Sequence, residues 1–240
     1  MNRIVAKFAH LKSAGKKGFV VYIGAGDPHL EATRQLALAF DKAGVDVLEL
    51  GVPFSDPLAD GLVNQLAAQR GLESGTTPPK LLATIAAIRK ESKLPIVLYI
   101  YFNLIHKVGL EKFIADCAQA GVDGLLVLDL PPEDRMALIV KRGTGFIYYI
   151  SREGVTGMQT SVATNLATQI AKIRAHTQLP IAVGFGISNP AQAKAVAAEG
   201  DGCVVGSAIV NQIAEHGKSP ELVAKVAAFV KLLGDAVKSL

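Results

Sequence analysis

Short apolar runs alternate with stretches of helical periodicity from one end of the chain to the other. The runs are Phe19–Ile23, Val45–Leu50, Ile96–Ile100, Gly124–Leu130, Phe146–Ile150, Ile181–Val183 and Gly202–Val205. They are nearly continuous in apolar residues, as strands covered on both faces are. Between them apolar residues recur at helical spacing, as in Leu36, Phe40 and Ala43, or Leu81, Ile85 and Ile88. This order predicts a parallel sheet wrapped by helices. One grammar repeats at the joints: Ala43-Gly44-Val45-Asp46, Ala120-Gly121-Val122-Asp123 and Ala198-Glu199-Gly200-Asp201-Gly202. There a Gly ends a helix and an Asp leads into the next strand. A chain of such units closes into a (β/α)8 barrel of TIM-barrel type, an α/β fold whose chemistry sits on the loops after the strands. A leading amphipathic helix with Ile4, Phe8 and Leu11 is expected to plug the bottom, and residues 1–240 to form a single domain.

The strand count is short by one. Seven strands are identifiable where the closed barrel has eight. Between Leu130 and Phe146 lie only Pro131 to Gly145, room for a single helix, Pro132–Lys141. The units on either side are complete. Either the chain lacks one helix-strand unit, or a segment lies outside this sequence. In the first case the strands Gly124–Leu130 and Phe146–Ile150 are expected to become neighbours in a strained seven-stranded or open barrel.

Composition narrows the setting. Half of the 240 residues are apolar, yet no run reaches the roughly 18 needed to span a bilayer. The segment Met1 to Gly18 lacks the apolar core and cleavage site of a signal peptide. Cys117 and Cys203 lie far apart in apolar surroundings and are expected to be free buried thiols of a cytoplasmic protein. The net charge of +4 is mild and the lysines are scattered, which argues against a nucleic-acid partner.

The chemistry concentrates after the second strand, in Leu48-Glu49-Leu50-Gly51-Val52-Pro53-Phe54-Ser55-Asp56-Pro57-Leu58-Ala59-Asp60-Gly61. Alternation places Val45, Val47 and Glu49 on one face and Leu48 and Leu50 on the other. An acid at the tip of a barrel-lining strand is either an acid–base group or half of a structural ion pair, because burying it unpaired shifts its pKa upward. Asp60 reads either as a second functional carboxylate or as a cap before Leu62–Leu72. Asp56, beside Pro57, and Asp27, before Pro28, read as turn chemistry, and Asp129 is undecided. Of Tyr99 and Tyr101, and of Tyr148 and Tyr149, one of each pair is expected to point inward.

The last two strands end in Gly184-Phe185-Gly186-Ile187-Ser188 and Gly206-Ser207-Ala208-Ile209. Glycines admit backbone N–H groups to an anion, and the following helix start faces it, so Gly184, Gly186, Gly206 and Ser207 form a candidate phosphate site. No strand contains a lysine, which leaves a Schiff-base mechanism without its nucleophile. His10, His29, His106, His176 and His216 lie outside the strands without ligand spacing, so no metal site is expected. What remains is proton transfer on a phosphorylated small molecule.

The stretch from Glu49 to Gly61 resembles the signature of the tryptophan synthase α-subunit family. Ser151-Arg152-Glu153-Gly154-Val155-Thr156-Gly157 and the two glycine loops resemble its later motifs in the same order. The resemblance runs from the first helix to the last, except at the gap. It implies a lyase of tryptophan biosynthesis that cleaves indole-3-glycerol phosphate to indole and glyceraldehyde 3-phosphate. By motif, Glu49 would be the general acid/base and Asp60 the acceptor of the indole N–H. Tyr22, Tyr101, Tyr148, Thr156 and Gly157 would contact substrate, with Thr156 in a loop that closes over it.

The family docks on a β subunit carrying pyridoxal phosphate, as an α2β2 assembly, and the chain itself needs no cofactor. Pro53, Phe54, Asp56 and Asn103 match the regions of that contact. The chain departs from the family at Asn64, where an apolar residue is usual, at Tyr22 in place of Phe, and at Gly24 in place of Thr. The missing block would be the fourth helix and fifth strand, roughly 25 residues by the size of such a unit. Two other readings stand beside this one. One is a catalytically impaired α-like protein that only binds a β subunit; the other is a phosphosugar isomerase or epimerase on the same barrel.

Overall fold

A computed structural model of the chain describes residues 2–128, 143–150, 159–184 and 186–240, with side chains from 166 onward in the third segment. The first helix, α1 (Arg3–Ser13), is capped by the Asn2 side chain, which accepts from the backbone N–H of Ile4. Alternating units follow: β1 (Gly18–Gly24), α2 (Leu30–Lys42), β2 (Val47–Gly51), α3 (Leu62–Glu73), α4 (Pro78–Arg89), β3 (Ile96–Tyr101), α5 (Phe102–Val108), α6 (Leu110–Ala120) and β4 (Gly124–Leu128). The second half holds β5 (Ile147–Ile150), α7 (Gln159–Arg174), β6 (Ile181–Gly184), α8 (Pro190–Glu199), β7 (Gly202–Val205), α9 (Ser207–His216) and α10 (Leu222–Lys238).

The described strands form one parallel seven-stranded sheet in the order β4-β3-β2-β1-β7-β6-β5. Its inner face carries Val20, Val47, Val97, Ala182 and Val204, one from each of five strands, and these pack with Ile4, Phe8 and Leu11 of α1. The amphipathic first helix therefore closes the floor, as its pattern predicts. The larger cluster lies between the outer face and the helices.

Val45 belongs to that outer cluster with Leu48 and Leu50, and not to the Val47 face. Alternation holds only within a strand, and β2 begins at Val47, after the turn at Gly44.

The repeated Asp at the joints has a single physical role. Asp46, Asp123 and Asp201 each accept from a strand's backbone N–H, those of Phe19 (2.8 Å), Ile96 (2.9 Å) and Ile181 (2.8 Å). Each also pairs with a cation: Lys238, Arg89 and Arg174 respectively. The carboxylate thus ties the start of one strand to the entry of its neighbour.

β4 and β5 are the two edges of the sheet and do not pair with one another among the described residues. Every residue of β1, β2, β6 and β7 is buried, whereas β4 is half-buried throughout and Ile150 at the end of β5 is exposed. A cavity of about 350 Å³ separates them, lined by Leu125 and Leu126 on one side and Phe146 and Tyr148 on the other. The expectation that Gly124–Leu130 and Phe146–Ile150 become neighbouring strands is not met among the described residues, and of the strained and open alternatives the sheet follows the open one. The expected helix Pro132–Lys141, Asp129 and the stretch across 130–136 lie outside the described residues. Edge amides open to solvent far more readily than those of a central strand. Hydrogen exchange followed by mass spectrometry is therefore expected to label β4 and β5 well before β1 and β2, and simultaneous labelling would contradict an open edge.

Candidate functional site

Glu49 sits two residues past Val47, on the same inner face of β2, and is fully enclosed. Neither carboxylate oxygen has a hydrogen-bond partner among the described residues, so the structural ion-pair reading finds no support there. Burial alone pushes its pKa up to about 8. Across the β1–β2 ladder it lies level with Tyr22. A Cβ on Gly51 would come within 2.3 Å of the Tyr22 hydroxyl oxygen, so that glycine is what lets the tyrosine lie over the end of β2. In sequence Gly51 shows only as the end of a strand.

Asp60 ends the loop from Val52 and precedes α3, whose N-cap is Gly61 without a side-chain bond. The Asp60 carboxylate is used elsewhere. Tyr99 donates its hydroxyl to Oδ1 at 3.0 Å, Tyr101 donates to Oδ2 at 2.8 Å, and Asn64 Nδ2 lies 3.5 Å from Oδ1. Both Tyr99 and Tyr101 therefore point inward. Residues two apart on a strand share a face, and the expectation of one inward tyrosine holds only for the adjacent pair Tyr148 and Tyr149. There Tyr148 joins the inner cluster and Tyr149 the outer one.

Burial, followed by the negative charge of Asp60, holds the Tyr22 and Tyr99 hydroxyls above their ordinary range. For Tyr101 the bond to Asp60 is the second cause, and for Tyr148 burial is followed by Glu49 and then Asp60. Four phenols thus remain neutral around two acids, two of them bonded to Asp60.

The loop carrying Asp60 is held from three sides. Tyr101 accepts from the backbone N–H of Ala59 at 3.0 Å, and its ring stacks on Phe54 with centroids 5.1 Å apart. Gln65 Nε2 donates to the Asp60 carbonyl at 2.8 Å. Asp27, read as turn chemistry, is a buried anchor that takes Arg70 in two bonds of 2.8 and 2.7 Å. That bond ties the loop after β1 to α3. Gly71 in the same helix lets it approach so closely that a Cβ would meet the Ala25 carbonyl at 2.6 Å.

Tyr22, Asn64, Tyr99, Tyr148, Gly184, Gly186, Gly206 and Ser207 line one cavity of about 130 Å³. This brings the expected phosphate residues together with two of the expected substrate contacts, Tyr22 and Tyr148, while Tyr101, Glu49 and Asp60 are not among the lining residues. Ser207 opens the ten-residue α9, whose N-cap Gly206 offers no side-chain bond to its first N–H groups, an end suited to an anion. Gly186 has φ +63°, a conformation that favours glycine, and a Cβ on Gly184 would press on the Tyr148 ring at 2.9 Å. Thr156, Gly157 and Phe185 lie outside the described residues.

Of the residues expected to meet a partner, Asp56 and Asn103 are exposed, Phe54 is half-buried against Tyr101, and Pro53 is buried beside Gly71. Leu58 and Leu62 on the same side are 88% and 69% exposed, apolar positions that the sequence pattern did not single out. Among the described residues no group of three metal-ligating side chains comes together, and no helix is long and apolar enough to cross a membrane.

Comparison with known proteins agrees with this geometry. The family model for the tryptophan synthase alpha chain matches residues 8–138 and 132–238. A tryptophan synthase alpha chain of Opitutus terrae is 47% identical over 264 aligned positions, covering 99% of this chain and 98% of its own. That of Geotalea uraniireducens is 43% identical over 266 positions, covering 100% and 99%. The crystal structure of the alpha subunit from Legionella pneumophila superposes with a TM-score of 0.92 at 32% identity over the whole of both chains. The Opitutus alignment is longer than this 240-residue chain by 24 positions (264 against 240), so at least that many positions have no counterpart here. The two matched segments meet at 132–138, between β4 and β5.

Proposed function

The chain belongs to the tryptophan synthase alpha chain family, and from that premise we propose that Glu49 and Asp60 carry out its reaction, the retro-aldol cleavage of indole-3-glycerol phosphate. The observation that carries this reading is an enclosed, unpartnered Glu49 beside an Asp60 held by two tyrosine hydroxyls.

A carboxyl whose pKa is raised to about 8 is protonated at neutral pH and able to give its proton to C3 of the indole ring. The ring then carries the positive charge at its nitrogen. Asp60 Oδ2, which has only Tyr101 as a donor among the described residues, accepts the ring N–H and stabilises that cation. Glu49, now a carboxylate, takes the proton of the hydroxyl on the adjoining side-chain carbon. As that oxygen becomes the aldehyde, the bond between this carbon and C3 breaks and its electrons return to the ring. Indole and glyceraldehyde 3-phosphate leave, and Glu49 is protonated again. One proton goes out and one comes back, so neither metal nor lysine enters the step.

The phosphate is assigned to Gly184, Gly186, Gly206 and Ser207 at the start of α9. Tyr22, Tyr101 and Tyr148 wall the ring, and Thr156 and Gly157 are assigned to loop closure by motif. The cavity measures about 130 Å³, below the roughly 300–1,000 Å³ usual for small-molecule sites.

A pyridoxal-phosphate β subunit is proposed to cover the face with Phe54, Asp56 and Asn103, extended by exposed Leu58 and Leu62. The chain is assigned no cofactor of its own. The purified chain is expected to release indole from indole-3-glycerol phosphate. Asp60→Asn should cut kcat about a hundredfold with KM little changed, since its bond strengthens only as the ring gains charge. Undiminished kcat in that variant would remove Asp60 from the mechanism.

A further inference from the structure

β4 and β5 end the sheet, and among the described residues no strand pairs with their far sides. Leu48 and Val52 donate to the carbonyls of Pro95 and Tyr99, so alternate residues of β3 serve β2 and leave Leu98 and Ile100 to bond β4. In a parallel ladder one residue of each registered pair bonds across and its partner faces away. Leu98 and Ile100 are registered with Leu125 and Val127, whose N–H and C=O groups therefore point into the gap. On the other edge Ile147 donates to the Pro180 carbonyl beside β6, so the backbone of its neighbour Tyr148 faces the gap too.

Side-chain cover is short on both faces of the same two strands. Leu125, Val127, Ile147 and Tyr149 are only partly buried on the outer face, and Leu126, Phe146 and Tyr148 on the inner one. A docked helix would cover one face, whereas a strand apolar on both sides covers both. Pairing β4 directly with β5 would draw the two halves of the sheet together by about one strand spacing, roughly 4.8 Å. The halves stay apart instead, around the cavity of about 350 Å³, and the whole chain superposes on the Legionella alpha subunit with a TM-score of 0.92. The two family matches meet at 132–138, between these strands.

We propose that this gap is an acceptor site for one strand of a separate polypeptide, apolar on both faces, which runs parallel to β4 and β5 and pairs with both. A single sheet edge already binds extended peptides through main-chain bonds, and here two edges face the same strand. The occupant that fits is a helix-strand unit like the one its relatives carry at this place, supplied by another chain. Neither Glu49 nor the indole site enters into it.

The test adds to the full chain a synthetic peptide, the segment of the Opitutus terrae relative that has no counterpart here, and reads exchange of single amides by NMR. The peptide is expected to bind saturably and to slow exchange at Leu125, Val127 and Tyr148 about tenfold or more, with β1 and β2 unchanged. Methylating three backbone nitrogens of its strand keeps the side chains but removes donors, and is expected to weaken binding about tenfold or more. Absence of binding, equal binding by the methylated peptide, or protection that spares those three amides overturns the proposal. So does protection of all three in the chain alone, which would mean that the chain or a second copy already covers both edges.

Discussion

Glu49→Gln is expected to abolish turnover and, in alkaline solution, to make the protein more stable than its parent. The acid has no hydrogen-bond partner among the described residues, and burial raises its pKa from 4.5 to about 8. Between those values the folded state keeps a proton that the unfolded chain gives up. The parent's stability therefore holds below about pH 4.5, declines as pH rises, and has lost the whole contribution above about pH 8. At roughly 1.4 kcal/mol per pKa unit the loss is of order 5 kcal/mol at most. Glutamine, neutral at every pH, avoids it.

Melting curves should then show similar midpoints for parent and variant near pH 5. At pH 9 the variant should lead by about 10 °C, given some 2–4 °C per kcal/mol for a chain of this size. An equal difference at both pH values would mean that the glutamate is not forced to ionise inside the protein. Turnover in the variant should fall by about two to four orders of magnitude, the usual contribution of a positioned acid–base group. A site that works against folding at the pH where it works is recognisable by this pairing of lost activity and gained stability.

Restoring a helix-strand unit between β4 and β5 is expected to have the second large effect. Inserting the segment of the Opitutus terrae relative that has no counterpart here, at the 132–138 junction, would give both edges a neighbour. Leu125, Leu126, Val127, Ile147 and Tyr149 are now only partly buried. Completing their burial at about 25 cal/mol per Å² is worth several kcal/mol, a rise in melting midpoint of about 10 °C or more. Hydrogen exchange in β4 and β5 should slow toward that of the central strands. An unchanged midpoint with unchanged exchange would show that the edges are already satisfied in the present chain.

The architecture was legible because each unit repeats its own punctuation. The apolar strand and the helix period agree in every unit and the joint Asp recurs in three of them, and together they predict the sheet, the floor helix and the missing member. The reading failed where a side chain's partner is distant in sequence. Nothing near Asp27 in the chain marks Arg70 as its partner, 43 residues away. The Asp27-Pro28 pair reads locally as a turn. Val45 was assigned to the inner face by extending alternation past the true start of β2. Tyr99 was the reverse error, a residue whose face alternation does fix but which was set against its i+2 neighbour. The two acids were legible from their places alone, one at a strand tip and one in the loop that follows. Their environments were not, because Tyr22, Tyr99, Tyr101 and Tyr148 reach them from three other strands.

In the proposed reaction Glu49 enters as a protonated acid. The pH dependence of kcat/KM for indole release by the purified chain, run beside Glu49→Gln, tests this most directly. The expected profile for the parent holds its plateau through neutral pH and falls as pH rises through about 8, with Glu49→Gln inactive throughout. Turnover that climbs through that range, or that survives the glutamine substitution, would contradict it.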